Sequence, residues 1–222
     1  MLENQKLRLR FEKTKRAVYS SHLDLMRTMQ RAFLRADLPL KYSEGFNPHA
    51  QISILLPLSL GMSSVCELMD FRLNDDLPLE VIPQRLNAVL PEGIIVLEAY
   101  FAERKVKEIK WLDVEGSFQY DELPAGDAAI ELADFFSKES IIIQKKTKRG
   151  VGESDIAPAI KEIKLVPDQN RVLLRAVISA QEPTLNPDNL VNALKQLYPG
   201  LAPDYAEFTR IQVYDLEMRE FR

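Results

Sequence analysis

The chain has 222 residues, 46% hydrophobic and 28% charged, which excludes a disordered chain and fits one large domain or two of about 100–120 residues. No apolar run nears the roughly 18 residues of a membrane span, the N-terminus lacks a signal peptide's apolar centre, and the lone Cys66 excludes an internal disulfide framework or a CxxC metal or cluster site, so the expectation is a cytoplasmic protein with no membrane contact, metal or cofactor. Net charge is −4, but residues 1–49 carry ten Lys/Arg against five acids (+5), leaving −9 for the remainder; a general nucleic-acid coat is excluded, whereas a basic N-terminal region suited to a phosphate backbone or an acidic partner is not.

Residues 6–11, Lys-Leu-Arg-Leu-Arg-Phe, alternate basic and apolar, the period of a half-buried strand. Ser20 and Ser21 are N-cap residues for a helix to about Ala36, with an apolar face of Leu25, Met26, Met29, Phe33 and Ala36. Arg27, Arg31 and Arg35 follow one another at i, i+4 and i+8, a single stripe on another face. Asp37 and Pro39 end the helix, and a turn-rich loop follows, Tyr42-Ser43-Glu44-Gly45-Phe46-Asn47-Pro48-His49. Strands are predicted at 51–56 and 65–73, joined by Pro57-Leu58-Ser59-Leu60-Gly61. A helix from after Pro78 to about Val89 and an apolar strand at 94–101 complete the half. The order β-α-β-β-α-β is that of a ferredoxin-like α+β domain, assigned to residues 1–104.

The polar segment Glu103-Arg104-Lys105-Val106-Lys107 leads into a second α+β domain, 105–222. Strands are predicted around 109–120, 141–146, 160–166 and 171–180, and helices at 125–137 and 187–197, the latter capped by Asn186. A long final strand takes 208–221. This is again β-α-β-β-α-β, with one additional strand, so two ferredoxin-like halves are expected; the repeat lies in element order, not in residue-level similarity.

No nucleotide-binding, zinc-protease or nucleophile-elbow motif occurs. The chain has two histidines, His22 and His49, both in the basic N-terminal part. Brought together they suit acid–base chemistry, since imidazole titrates near neutrality. The plainer alternative is a helix-start residue and a turn residue. The Arg27/Arg31/Arg35 stripe suits bidentate phosphate contacts, or is a solvated face balanced by Asp24 and Asp37. The run Lys145-Lys146-Thr147-Lys148-Arg149, followed by Gly150 and Gly152, reads as a charged loop for RNA or an acidic partner, or as a solvated hairpin tip.

The loop 42–49 is the best site candidate. Gly45 permits a left-handed backbone and Asn47-Pro48 fixes a turn, so N–H groups can converge on an anion. Phe46 is either a core anchor or a stacking platform. Glu67 and Asp70 fall on opposite faces of the third strand and do not form a paired-carboxylate site. His22, Arg27, Arg31, Tyr42, Phe46, Asn47 and His49 are expected to border one cleft.

The segments Tyr19-Ser20-Ser21-His22-Leu23-Asp24-Leu25-Met26-Arg27, Arg31-Ala32, Tyr42-Ser43-Glu44-Gly45-Phe46-Asn47-Pro48-His49 and Pro57-Leu58-Ser59-Leu60-Gly61, in this order, closely resemble the radical SAM-linked protein family. That family is an uncharacterised bacterial domain of about this length, found beside or fused to a radical S-adenosylmethionine protein. The resemblance is strong over residues 6–73 and transfers no catalytic residues. It implies a radical SAM partner, and neighbouring genes concerned with ribonuclease and ribosomal proteins point to RNA. A radical SAM enzyme needs three cysteines for its cluster and this chain has one, so the expected role is that of an accessory or substrate-presenting partner, not of the enzyme. A weaker likeness is to repeat-associated RNA-processing endonucleases, built from two ferredoxin-like halves and able to use a histidine. Their C-terminal glycine-rich loop is replaced here by Pro199-Gly200-Leu201-Ala202-Pro203. The alternative function is thus an RNA-processing or RNA-modifying enzyme using His22 or His49 as acid or base.

Overall fold

The computed structural model describes residues 5–147 and 150–222. They divide into two compact units, one of residues 5–106 with Arg222 and one of residues 107–221.

In the first unit the alternation of β1 (Leu7–Lys13) sends Leu7, Leu9 and Phe11 into the core beneath α1 (His22–Arg35). Ser21 caps α1, its Oγ accepting the Asp24 N–H at 3.2 Å. Leu25, Met29, Ala32 and Phe33 form the buried face of the helix, and the Phe33 ring meets Phe71 at 5.1 Å between centroids. Each such apolar side chain, fully buried, contributes about 1.5–3 kcal/mol. The remaining elements are β2 (Ile52–Leu55), β3 (Ser63–Phe71), α2 (Val81–Asn87) and β4 (Ile94–Phe101). The strands pair in the order β4-β1-β3-β2, every neighbour antiparallel, which is the ferredoxin-like arrangement the element order predicts.

Register fixes the two ends of this sheet. Lys13 lies opposite Ser64 at one end, whereas Leu7 and Ile52 both lie opposite Phe71 at the other. The helix α1 therefore starts beyond Lys13, after a 3-10 turn at Lys15–Tyr19, and finishes beside Leu40, which bridges Leu73.

The second unit contains β5 (Trp111–Gln119), α3 (Ala125–Phe136), the hairpin β6 (Ile142–Thr147) and β7 (Gly150–Asp155), then β8 (Ile160–Asp168), β9 (Arg171–Ser179), α4 (Asp188–Leu197) and β10 (Tyr205–Tyr214). Its strands pair antiparallel in the order β10-β5-β9-β8, while β6 and β7 form a separate two-stranded sheet. Without the hairpin, the order β5-α3-β8-β9-α4-β10 reproduces the topology of the first unit. The α3 face of Ala128, Leu132, Phe135 and Phe136 is buried. Asn186 accepts the Asp188 N–H at 3.1 Å, with Pro187 already helical, as the predicted cap requires.

Two predictions in this half are corrected. The additional strand is not single, because β7 pairs with it over 150–155. The final strand starts at Tyr205 and stops at Tyr214 instead of running to 221. The Asp215 carboxylate accepts the N–H groups of Glu217 (3.0 Å) and Arg219 (2.9 Å) and reverses the chain, returning Phe221 N–H to the Val213 carbonyl at 2.8 Å. Lys148 and Arg149 of the basic run lie outside the described residues.

Candidate functional site

At the start of α1 three separate stretches of sequence meet. Lys13 occupies the same inward-facing alternation as Leu7, Leu9 and Phe11 and is 2% exposed. Its Nζ donates to the Val18 carbonyl at 3.1 Å, and the Gly61 N–H donates to that same carbonyl at 3.0 Å. The turn before α1 is thereby tied both to β1 and to the Pro57–Gly61 connection. Burial pushes the Lys13 ammonium below its usual value, opposed in part by the Glu67 carboxylate. A pocket here is lined by Lys13, Ser20, His22, Leu25, Pro57 and Leu58. Its volume of about 10 Å³ is at the threshold for a single water, too small for a substrate.

At the opposite end of α1 the loop 42–49 closes on itself. Tyr42 bridges Ala50, Ser43 N–H donates to the His49 carbonyl at 2.9 Å, and His49 N–H donates to Ser43 Oγ at 3.1 Å. His49 Nδ1 lies 3.1 Å from both the Asn47 carbonyl and Ser43 Oγ, so a proton on Nδ1 serves the carbonyl. Gly45, at φ +122°, takes a conformation that strains any residue with a Cβ. The result is a stapled turn with Phe46 at its tip. Phe46 is 112% exposed, beyond even an open reference chain, which rules out the core-anchor alternative.

These positions bear on the expected cleft. His22 lies where α1 begins and the loop 42–49 leaves and rejoins the sheet where α1 ends. For a helix of 14 residues that is on the order of 20 Å. The structure brings Tyr42, Phe46, Asn47 and His49 together in one loop, but it does not bring His22 to His49. An acid–base role would therefore fall to His22 or to His49 alone, not to the pair.

The arginine stripe is partly engaged. Arg27 lies 3.7 Å from Asp24, and Arg35 donates to the Val89 carbonyl at 3.0 Å. Arg31 is exposed and has no partner among the described residues. Of the basic residues on β1, Arg8 is fully buried: its Nε donates to Asp70 Oδ1 at 2.6 Å and its Nη2 to the Arg104 carbonyl at 3.1 Å. Asp70 therefore serves Arg8 and Lys6, while Glu67 lies opposite Phe11 on the helix-covered face. Arg8 adds nothing to an external basic patch, and an aromatic stacking face of the kind RNA-binding sheets use is not built on β1 and β3.

The sequence reasoning overlooked Lys13. Its signal was present, as a lysine in the inward register of a strand whose other inward residues are Leu, Leu and Phe. Among the described residues no group of three or more His, Cys, Asp or Glu side chains is placed to hold a metal ion, and no helix is long and apolar enough to cross a membrane.

Comparison with known proteins adds the following. A family model described as an uncharacterized protein conserved in bacteria (DUF2344) matches residues 6–187. No curated protein matches. Among solved structures, a chain of a Cbf5-Nop10-Gar1 complex is similar in fold, with a TM-score of 0.51 and 12% identity over 93% of this chain. This chain spans about half of that one, 48% of its length. An unknown protein from Galdieria sulphuraria aligns over 93% of this chain and 98% of its own with 10% identity, at a TM-score of 0.27 that carries no argument.

Proposed function

We propose, from the premise that the chain belongs to this uncharacterized bacterial family, that it is an accessory protein that docks on a radical SAM enzyme and presents an RNA or ribosome-related substrate to it. The observation that carries this reading is Phe46, wholly exposed at the tip of a loop held by its own hydrogen bonds. Exposure forgoes the roughly 1.5–3 kcal/mol that burying the ring provides, and the stapled loop has already lost the conformational freedom that binding otherwise removes. A rigid aromatic knob of this kind fits a partner's pocket.

The test is affinity purification from native cells with wild-type protein and Phe46→Ala, identifying both protein and RNA. Recovery of a radical SAM protein by the wild type and its loss with the variant is the expected result. Equal recovery by both would place docking elsewhere, and recovery of no radical SAM protein would end the reading.

A further inference from the structure

In the second unit an open groove of about 490 Å³ runs between β6 and α4. Its lining includes five carboxamides, Gln144, Asn186, Asn189, Asn192 and Gln196, together with Lys145, and among the described residues it contains no carboxylate. Three of the amides have structural duties. Gln196 Oε1 accepts the Gln144 N–H at 2.7 Å and its Nε2 donates to the Gln144 carbonyl at 3.1 Å, holding β6 to α4 as a neighbouring strand would. Gln144 Nε2 donates to Glu153 at 3.1 Å, and Asn186 caps α4.

Asn189 and Asn192 have no such duty. They stand at i and i+3 on one face of α4, both line the groove, and neither side-chain amide has a partner among the described residues. Asn189 is only 7% exposed. Its amide atoms are nevertheless not among the buried polar atoms left without a partner, so they open onto the groove, where water meets them and a ligand can take the place of that water.

The chemistry of the lining selects the ligand. Amides offer donor and acceptor side by side, and Lys145 brings a cation to the wall. The complement is an anion whose recognised parts also present paired donors and acceptors. A nucleobase edge on a phosphate backbone has that form: asparagine pairs bidentately with adenine, and lysine meets phosphate. In single-stranded RNA such edges are unpaired and within reach.

We infer that the groove between β6 and α4 binds single-stranded RNA, with Asn189 and Asn192 reading a base edge and Lys145 contacting the phosphate. This rests on the substrate half of the proposed function and is independent of docking through Phe46.

The experiment is fluorescence anisotropy of the full chain with labelled oligoadenylate and oligouridylate RNA of about ten nucleotides. The variants are Asn192→Ala, Asn189→Ser with Asn192→Ala, and Lys145→Gln. Wild-type protein is expected to bind, with oligoadenylate preferred. The double variant should weaken binding roughly tenfold or more and lose the base preference. Lys145→Gln should weaken both RNAs alike and flatten the salt dependence. Heparin, a polyanion without bases, should bind the double variant as it binds the wild type, which separates base reading from charge. Because Asn192 is exposed, Asn192→Ala alone, with an unchanged thermal melt, guards against a folding defect at Asn189. RNA bound equally by wild type and double variant overturns the groove and leaves the substrate reading standing. RNA bound by neither overturns both, while recovery of the enzyme still judges docking separately. A peptide or glycan whose binding requires Asn189 and Asn192, with no RNA bound, also overturns the inference.

Discussion

The basic residues near the N-terminus divide into those that build the fold and those left at the surface. Arg8 is fully buried against Asp70, whereas Lys6 reaches the same carboxylate from the rim with 47% of its side chain exposed. Removing one partner of a buried, hydrogen-bonded pair leaves the other uncompensated, a cost of about 3–5 kcal/mol. Asp70→Ala is therefore expected to lower stability in urea melts by that amount, and Lys6→Gln by less than about 1 kcal/mol. Equal effects would contradict the assignment of Arg8 to the interior. A second residue-scale prediction concerns Asp155 at the base of the β6–β7 hairpin. Its carboxylate accepts the Ile141 N–H (2.8 Å), Ser140 Oγ–H (2.9 Å) and the Ala157 N–H (3.1 Å), which hold it below the usual carboxylate range. A lowered folded-state value means that its stabilisation is present above about pH 4 and is lost as pH falls through the folded value. Asp155→Asn should destabilise the protein at neutral pH, and the gap between variant and wild type should narrow below about pH 4. A gap independent of pH would show that the charged form does not matter. Sequence alone separated Glu67 from Asp70 by strand alternation; it did not show that Arg8 is buried, since outward alternation in a strand says nothing about a covering segment such as the one carrying Arg104.

At the scale of elements, what was legible followed from burial. The strand β1, the helix α1 and β9 each carry a periodic apolar face because one side of each meets a core, and each was readable from that period. β7, Gly-Val-Gly-Glu-Ser-Asp, has no buried residue and hence no period; its ladder to β6 holds it instead. The end of β10 was equally hidden, because the reversal at Asp215 depends on side-chain to backbone bonds and not on a Gly-Pro signal. At Gly116 on β5 the neighbouring strand β10 leaves no room for a side chain. A Cβ there would stand 2.4 Å from the Glu207 carbonyl oxygen and 2.7 Å from Phe208 Cδ1. Gly116→Ala is expected to cost about 1–3 kcal/mol in a thermal or denaturant melt, with β10 forced away from β5. An unchanged melt would mean that the two strands separate at no cost. The stapled loop 42–49 shows the same division: its turn residues were readable, but the exposure of Phe46 was not, because an apolar residue in a polar stretch more often anchors than protrudes.

At the scale of the molecule, the charge pattern along the chain is a poor guide to the charge of the surface. The +5 of residues 1–49 is a count along the chain, and part of it is neutralised by acids from further along, inside the first unit by Asp70 and at the surface by Glu92. The docking claim rests instead on Phe46, a residue that nothing in its own unit buries. Its direct measurement is the affinity between purified wild-type protein and a radical SAM protein from the same cell, compared with Phe46→Ala, by titration calorimetry. Truncating a central aromatic anchor costs about 2 kcal/mol or more, so the variant should bind roughly thirtyfold more weakly while its melting temperature stays that of the wild type. Equal affinity of the two proteins, or no measurable binding by the wild type, would contradict the account.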